Sequence, residues 1–148
     1  MINHIWSVLC LHSIINESTR NVSLIEAIEQ ITITEPSLPK GEEGRLPISF
    51  DLVSLWSRES NSQASRGLIR LSFLSPDNVE IKSFDYHVDL SKNLRMHTTT
   101  RIYGLSFRGP GIYHFRVQLR EENETEWRDV ASIPLQIVLQ PSESSAIS

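Results

Sequence analysis

The stretch Gly109-Pro110-Gly111-Ile112-Tyr113-His114-Phe115-Arg116-Val117-Gln118-Leu119 decides the fold. A Gly-Pro-Gly turn leads into strict alternation. Tyr113, Phe115, Val117 and Leu119 fall on one side; His114, Arg116, Gln118 and Arg120 fall on the other. Side chains of a strand alternate between faces with a period of two, so the segment predicts a strand with one apolar and one wet face. Half-buried antiparallel strands of this kind build β-sandwiches, in which two sheets bury their inner faces against each other.

The same alternation returns on both sides of this stretch. Ile48, Phe50 and Leu52 alternate with Ser49 and Asp51 in a segment expected to run from Leu46 to Trp56. Ile69, Leu71 and Phe73 alternate with Arg70 and Ser72. Ser75-Pro76-Asp77-Asn78 then supplies turn residues. Phe84, Tyr86, Val88 and Leu90 alternate with Ser83, Asp85, His87 and Asp89. Met96 to Phe107 reads as one further strand, and Glu121 to Glu126 as an acidic hairpin tip. The last strand is expected over Trp127 to Leu139, with Ile133, Leu135, Ile137 and Leu139 inward. Pro134 cannot donate to a ladder, which assigns it to an edge or a bulge.

At the N-terminal end, Ile5 to Ile15 reads as a largely buried strand, joined through polar Asn16 to Asn21 to the segment NVSLIEAIEQITI. Two readings compete there. Leu24, Ile25, Ile28 and Ile31 fit a helical period, and Ser23 with Glu26 resembles a capping box. The β-branched Ile-Thr-Ile-Thr end favours a strand. Pro36, Pro39, Gly41 and Gly44 mark a loop over Glu35 to Leu46, and Ser57 to Ser65 a polar one. The expectation is an all-β, immunoglobulin-like antiparallel β-sandwich of about eight strands. It forms a single domain over residues 1–140, followed by a disordered C-terminal tail over 141–148.

Composition narrows the function classes. A chain of 148 residues can bury about 68–70% of its unfolded surface, so its core requires neither disulfide nor metal. Fourteen basic and 18 acidic residues give a net charge of −4, which argues against a nucleic-acid partner, for which a basic stripe is needed. The lone Cys10 allows no internal disulfide. No export signal or apolar run of about 18–20 residues is present. A cytoplasmic protein with no membrane association is expected. The sequons at Asn16, Asn21 and Asn123 read as turn residues.

No complete catalytic motif, metal-ligand spacing or phosphate loop occurs, so neither an enzyme nor a cofactor is expected. Candidate residues remain. Tyr113, just after the turn, suits a tyrosine that ties its hydroxyl to backbone at a sandwich corner. Trp6, Trp56 and Trp127 are core residues or, for Trp127 beside the acidic tip, a platform for a sugar or small ligand. Asp85, His87 and Asp89 share a strand face, a carboxylate-imidazole-carboxylate pattern that a metal-dependent enzyme would use. Any solvated strand face has the same composition. Cys10 and His12 share a side of the first strand, but the apolar run around Cys10 predicts an inert thiol. Arg101, Arg108, Arg116 and Arg120 are candidates for a basic face.

Three stretches carry a resemblance to a known family. They are VLCLHSII leading into NVSLIEAIEQI, then LIRLSF with its Ser-Pro-Asp turn, and finally LSFRGPGIYHFRVQL followed by ASIPLQIVL. In these the chain resembles a family of short bacterial immunoglobulin-like β-sandwich proteins, a domain family without an assigned function. The resemblance implies the fold and a bacterial, cytosolic origin, and brings no catalytic residue with it.

The functional expectation is a non-enzymatic protein-interaction or scaffolding module. Its partner, another protein, would bind the face carrying His114, Arg116 and Gln118, and Trp127 is named as a further binding residue. The alternatives are a carbohydrate- or small-ligand-binding module and a metal-dependent enzyme on the Asp85, His87 and Asp89 face. An unpaired edge strand would permit homo-oligomers in any of these cases.

Overall fold

The structure, a computed structural model, describes residues 1–34, 44–59 and 63–140. The expected tail over 141–148, most of the expected loop from Glu35 and the middle of the Ser57 to Ser65 loop lie outside these residues. The described residues are all-β. Their strands are β1 (Asn3–Ile15), β2 (Val22–Ala27), β3 (Gln30–Thr34), β4 (Gly44–Arg45), β5 (Phe50–Ser57) and β6 (Arg66–Leu74). They continue with β7 (Glu80–Asp89), β8 (Arg95–Ile102), β9 (Ser106–Phe107), β10 (Gly111–Glu121) and β11 (Arg128–Gln140). None of the described residues forms a helix long and apolar enough to cross a membrane.

A four-stranded sheet has the order β2-β1-β5-β8 and a five-stranded sheet the order β3-β11-β10-β6-β7. A short β4-β9 pair stands apart. One core joins the two large sheets. Leu9, Phe50, Leu52 and Trp56 enter it from the first, and Ile69, Leu71, Phe73, Tyr113, Phe115 and Val117 from the second. Phe115 packs against Phe50 of the opposite sheet at 6.0 Å and against Phe73 of its own at 4.8 Å. Each aromatic pair contributes about 0.5–1.5 kcal/mol beyond its burial. Trp56 is fully buried, and its indole N–H donates to Thr98 Oγ1 at 2.9 Å, so its polar edge keeps a partner in the core.

The sequence predicts about eight antiparallel strands; the described residues form eleven, and β3 pairs with β11 in parallel. Two breaks account for most of the difference. The NVSLIEAIEQITI segment is extended rather than helical, but it belongs to two sheets. Glu26 has φ 56°, and beyond Ala27 the chain leaves β1 for the far side of β11. Buried Ile28 lies at this crossing, its N–H bonded to Leu9 O at 2.8 Å. The expected Met96 to Phe107 strand is interrupted at Gly104, where φ is 60°. Among the described residues, β11 is paired at Pro134 with β10 alone, since pairing with β3 begins at Gln136. The missing N–H there leaves no ladder bond unmade.

The Gly-Pro-Gly turn aims β10. Gly109 has φ 65°, and a Cβ on Gly111, at φ 146°, would lie 2.7 Å from Pro76. Both positions require glycine. Tyr113 closes the turn from inside: its hydroxyl lies 2.6 Å from Arg108 O and accepts the Arg108 N–H at 2.8 Å. Tyr113→Phe leaves a carbonyl and an N–H of the turn unpaired and is expected to destabilise the fold by about 1–3 kcal/mol. Thermal unfolding should move down by several degrees. An unchanged midpoint would show that the turn holds without the hydroxyl.

Candidate functional site

Burying alternate residues of β10 leaves His114, Arg116, Gln118 and Arg120 on the outer face of the five-stranded sheet. Register fixes their neighbours. Gln118 stands opposite Arg70 of β6, which stands opposite Asp85 of β7. Arg116 stands opposite Ser72 of β6 and Ser132 of β11, and Ser72 opposite Ser83 of β7. The three polar residues singled out on β10 therefore occupy one central strip.

Trp127 joins them. The hairpin after β10 brings its indole back over the sheet, with the Arg70 guanidinium 4.3 Å and the Arg120 guanidinium 5.1 Å from the ring centroid. Cation–π contacts of this kind contribute about 0.5–1 kcal/mol at exposed sites. Trp127 is thus engaged by two guanidiniums of its own chain. Trp56, by contrast, belongs to the core, and Trp6 lies on the other sheet against His97 at 5.9 Å.

The acids singled out in β7 pair with arginines. Asp85 takes a two-pronged bond from Arg70, Nε to Oδ1 at 2.9 Å and Nη2 to Oδ2 at 3.0 Å. The hydrogen bond from Arg70 holds the Asp85 carboxyl below the usual carboxylate range. Asp89 lies 3.4 Å from Arg66 and accepts the Ser91 N–H at 2.8 Å. Among the described residues no three His, Cys, Asp or Glu side chains come together as a metal site would require. The missing signal in the sequence was register: only cross-strand pairing shows that arginines face these carboxylates.

The four arginines considered as one basic face are separated. Arg116 and Arg120 share the five-stranded sheet, whereas Arg101 lies on the other and binds buried Asp51 at 3.0 Å and Leu11 O at 3.2 Å. Arg108 belongs to the turn. Cys10 lies beside Asp51 in the register and is fully buried. Burial pushes its thiol pKa up, and the Asp51 carboxylate adds to the shift. An exposed His12 two residues away does not activate it.

Arg116 differs from its neighbours. Among the described residues it has no acid, carbonyl or aromatic ring as partner. Its Nε is buried without a hydrogen bond, and so is Ser72 Oγ directly across the strand pair. Ser72 is fully buried. The unpaired guanidinium at the middle of the face was not legible from the sequence, in which Arg70, Arg116 and Arg120 look alike. The chain matches no family model and no curated protein.

On the four-stranded sheet, two histidines respond to pH. Burial lowers the pKa of His4, which packs edge-on against Trp56 at 5.2 Å, and of His97, which is lowered further by Arg95. With folded values below the ordinary 6.5, the unfolded chain takes up these protons first as the pH falls. Their contribution to stability is fully present above that value and declines as the pH falls through it toward the lowered folded values. Unfolding midpoints measured between pH 8 and 5 should fall at the acid end. His97→Asn should flatten that fall; an identical slope in the variant would assign it elsewhere.

Proposed function

We propose that the chain is an immunoglobulin-like module whose outer five-stranded face binds another protein without catalysis. Strand order supports the fold assignment. The run β11-β10-β6-β7 has the order G-F-C-C′ of variable-type immunoglobulin sheets, and β1-β5-β8 the order A-B-E. Tyr113 then sits near the start of the F-equivalent strand and ties its hydroxyl back to the turn, as the tyrosine corner of such domains does. Strands β2 and β3 are additions to that plan.

One observation carries the functional reading. His114, Arg116, Gln118 and the Arg70–Trp127–Arg120 stack lie on one face, with an unpaired guanidinium at its centre. Arginine and tryptophan together are the residue types that dominate the energetics of protein interfaces. Strong backbone pairing on both sides of β10 keeps that face rigid, so binding requires little ordering of the chain. The pairing of Asp85 and Asp89 with arginines favours this reading over metal-dependent chemistry on β7.

Photo-crosslinking tests the assignment of the face. A benzophenone amino acid replacing exposed Gln136 on β11 is expected to form a discrete adduct with one protein in the cells that make the chain. The same group replacing Ile25, exposed on β2 of the other sheet, is expected to form none. Adducts from Ile25 alone, or from neither position, would overturn the proposal.

A further inference from the structure

The proposed binding face has a chemical preference, and Arg116 sets it. We propose that Arg116 is the receptor for a single carboxylate side chain on the partner protein, an inference that rests on the reading of the five-stranded face as the interface. The arginines around Arg116 are already engaged. Arg70 holds Asp85 and lies on Trp127, Arg120 lies on the same ring, and Arg66 faces Asp89. Arg116 alone among these arginines has neither a carboxylate nor an aromatic ring as partner among the described residues, and its Nε and the facing Ser72 hydroxyl are buried without a hydrogen bond. A ligand reaching the Arg116 guanidinium therefore displaces no carboxylate or ring of the described residues.

The surroundings select the ligand's charge and shape. The register places Ser132 and Ser83, both exposed, in the same row as Arg116 and Ser72. The row is therefore polar, with no acidic residue in it. Gln118, one step along β10, donates to Asp129 at 2.9 Å, and Asp85 stands beside Arg70. These two carboxylates repel a dianion more strongly than a monoanion, which favours a carboxylate over a phosphate. Beyond Arg120 the surface becomes acidic. A groove of about 670 Å³ there is lined by Asp89, Glu122 and Glu124 along with His87 and Arg120. The anionic subsite is thereby confined to the Arg116 row, and a polyacidic ligand is disfavoured. A planar guanidinium and a carboxylate form two parallel hydrogen bonds, a geometry an ammonium cannot reproduce.

The test is a titration of the full chain followed at the Arg116 Nε–H resonance, with blocked Ala-Ala-Glu-Ala-Ala, its Gln counterpart, and inorganic phosphate as probes. The Glu peptide should shift that resonance saturably on the ~1 mM scale expected of one isolated subsite. The Gln peptide and phosphate should bind at least fivefold more weakly. Arg116→Gln should abolish the saturable response, Arg116→Lys should weaken it severalfold, and Arg95→Gln should leave it unchanged. Equal binding of the Gln peptide, equal or tighter binding of phosphate, or retention of binding in Arg116→Gln would overturn the inference. A Gln136 crosslink that forms regardless of Arg116→Gln, with no response to the Glu peptide, would remove the carboxylate site and leave the face standing. Absence of the crosslink would remove the face itself.

Discussion

The constraint on which the structure depends is the period of two in β10, locked by aromatic packing. Phe115 touches Phe73 on its own sheet and Phe50 on the opposite one, and Tyr113 stacks on Phe73 at 5.2 Å with an interplanar angle of 12°. A slip of one residue would put these rings in water and Arg116 in the core, a change of many kcal/mol. The inner packing therefore determines the outer face. The glycines at 109 and 111 and the Tyr113 hydroxyl set where the alternation starts. Core, turn and candidate site are one arrangement viewed from different sides.

The outer faces of the two sheets differ in how they handle charge. On the four-stranded sheet, Asp51 is buried and receives Arg101 and the Ser13 hydroxyl, the latter at 3.0 Å, so its charge is closed within the fold. At the end of β10, Glu121 accepts the Ile2 N–H at 3.0 Å and the Arg128 guanidinium at 3.0 Å, tying the start of β1 to the hairpin. These are structural uses of charge, each with both partners inside the chain. Among the described residues Arg116 has no such partner, and this contrast is why the binding role is proposed for it rather than for arginines as a class. An arginine already paired must lose one carboxylate to gain another, which leaves little net affinity.

Much of the fold was legible because alternation is a local property. Phe84, Tyr86 and Val88 of β7, like the inner residues of β6 and β10, could be assigned to one side from sequence alone. The second apolar segment shows the limit. Strand propensity in Ile31 to Thr34 indicates extension, but it carries no information on which sheet the strand joins. The parallel pairing of β3 with β11 is decided by the turn in chain direction at Glu26 to Ile28 and by burial of Ile28. The site was legible to the same extent. His114, Arg116 and Gln118 could be placed on one face, whereas the return of Trp127 over Arg70 and the pairing of Asp85 with Arg70 depend on contacts between residues distant in sequence. Charge content likewise could not distinguish Arg116 from Arg70.

The proposed role of Arg116 requires its guanidinium to be available while those of its neighbours are occupied. The most direct measurement is the rate at which phenylglyoxal modifies each guanidinium in the folded chain, read by mass spectrometry of peptides. Ion pairing slows the reaction, and Arg70 and Arg101 are each paired with a carboxylate, so Arg116 should be labelled well ahead of both. Labelling of Arg116 as slow as that of Arg70 would mean that its guanidinium already has a partner in the folded chain, and would contradict the account.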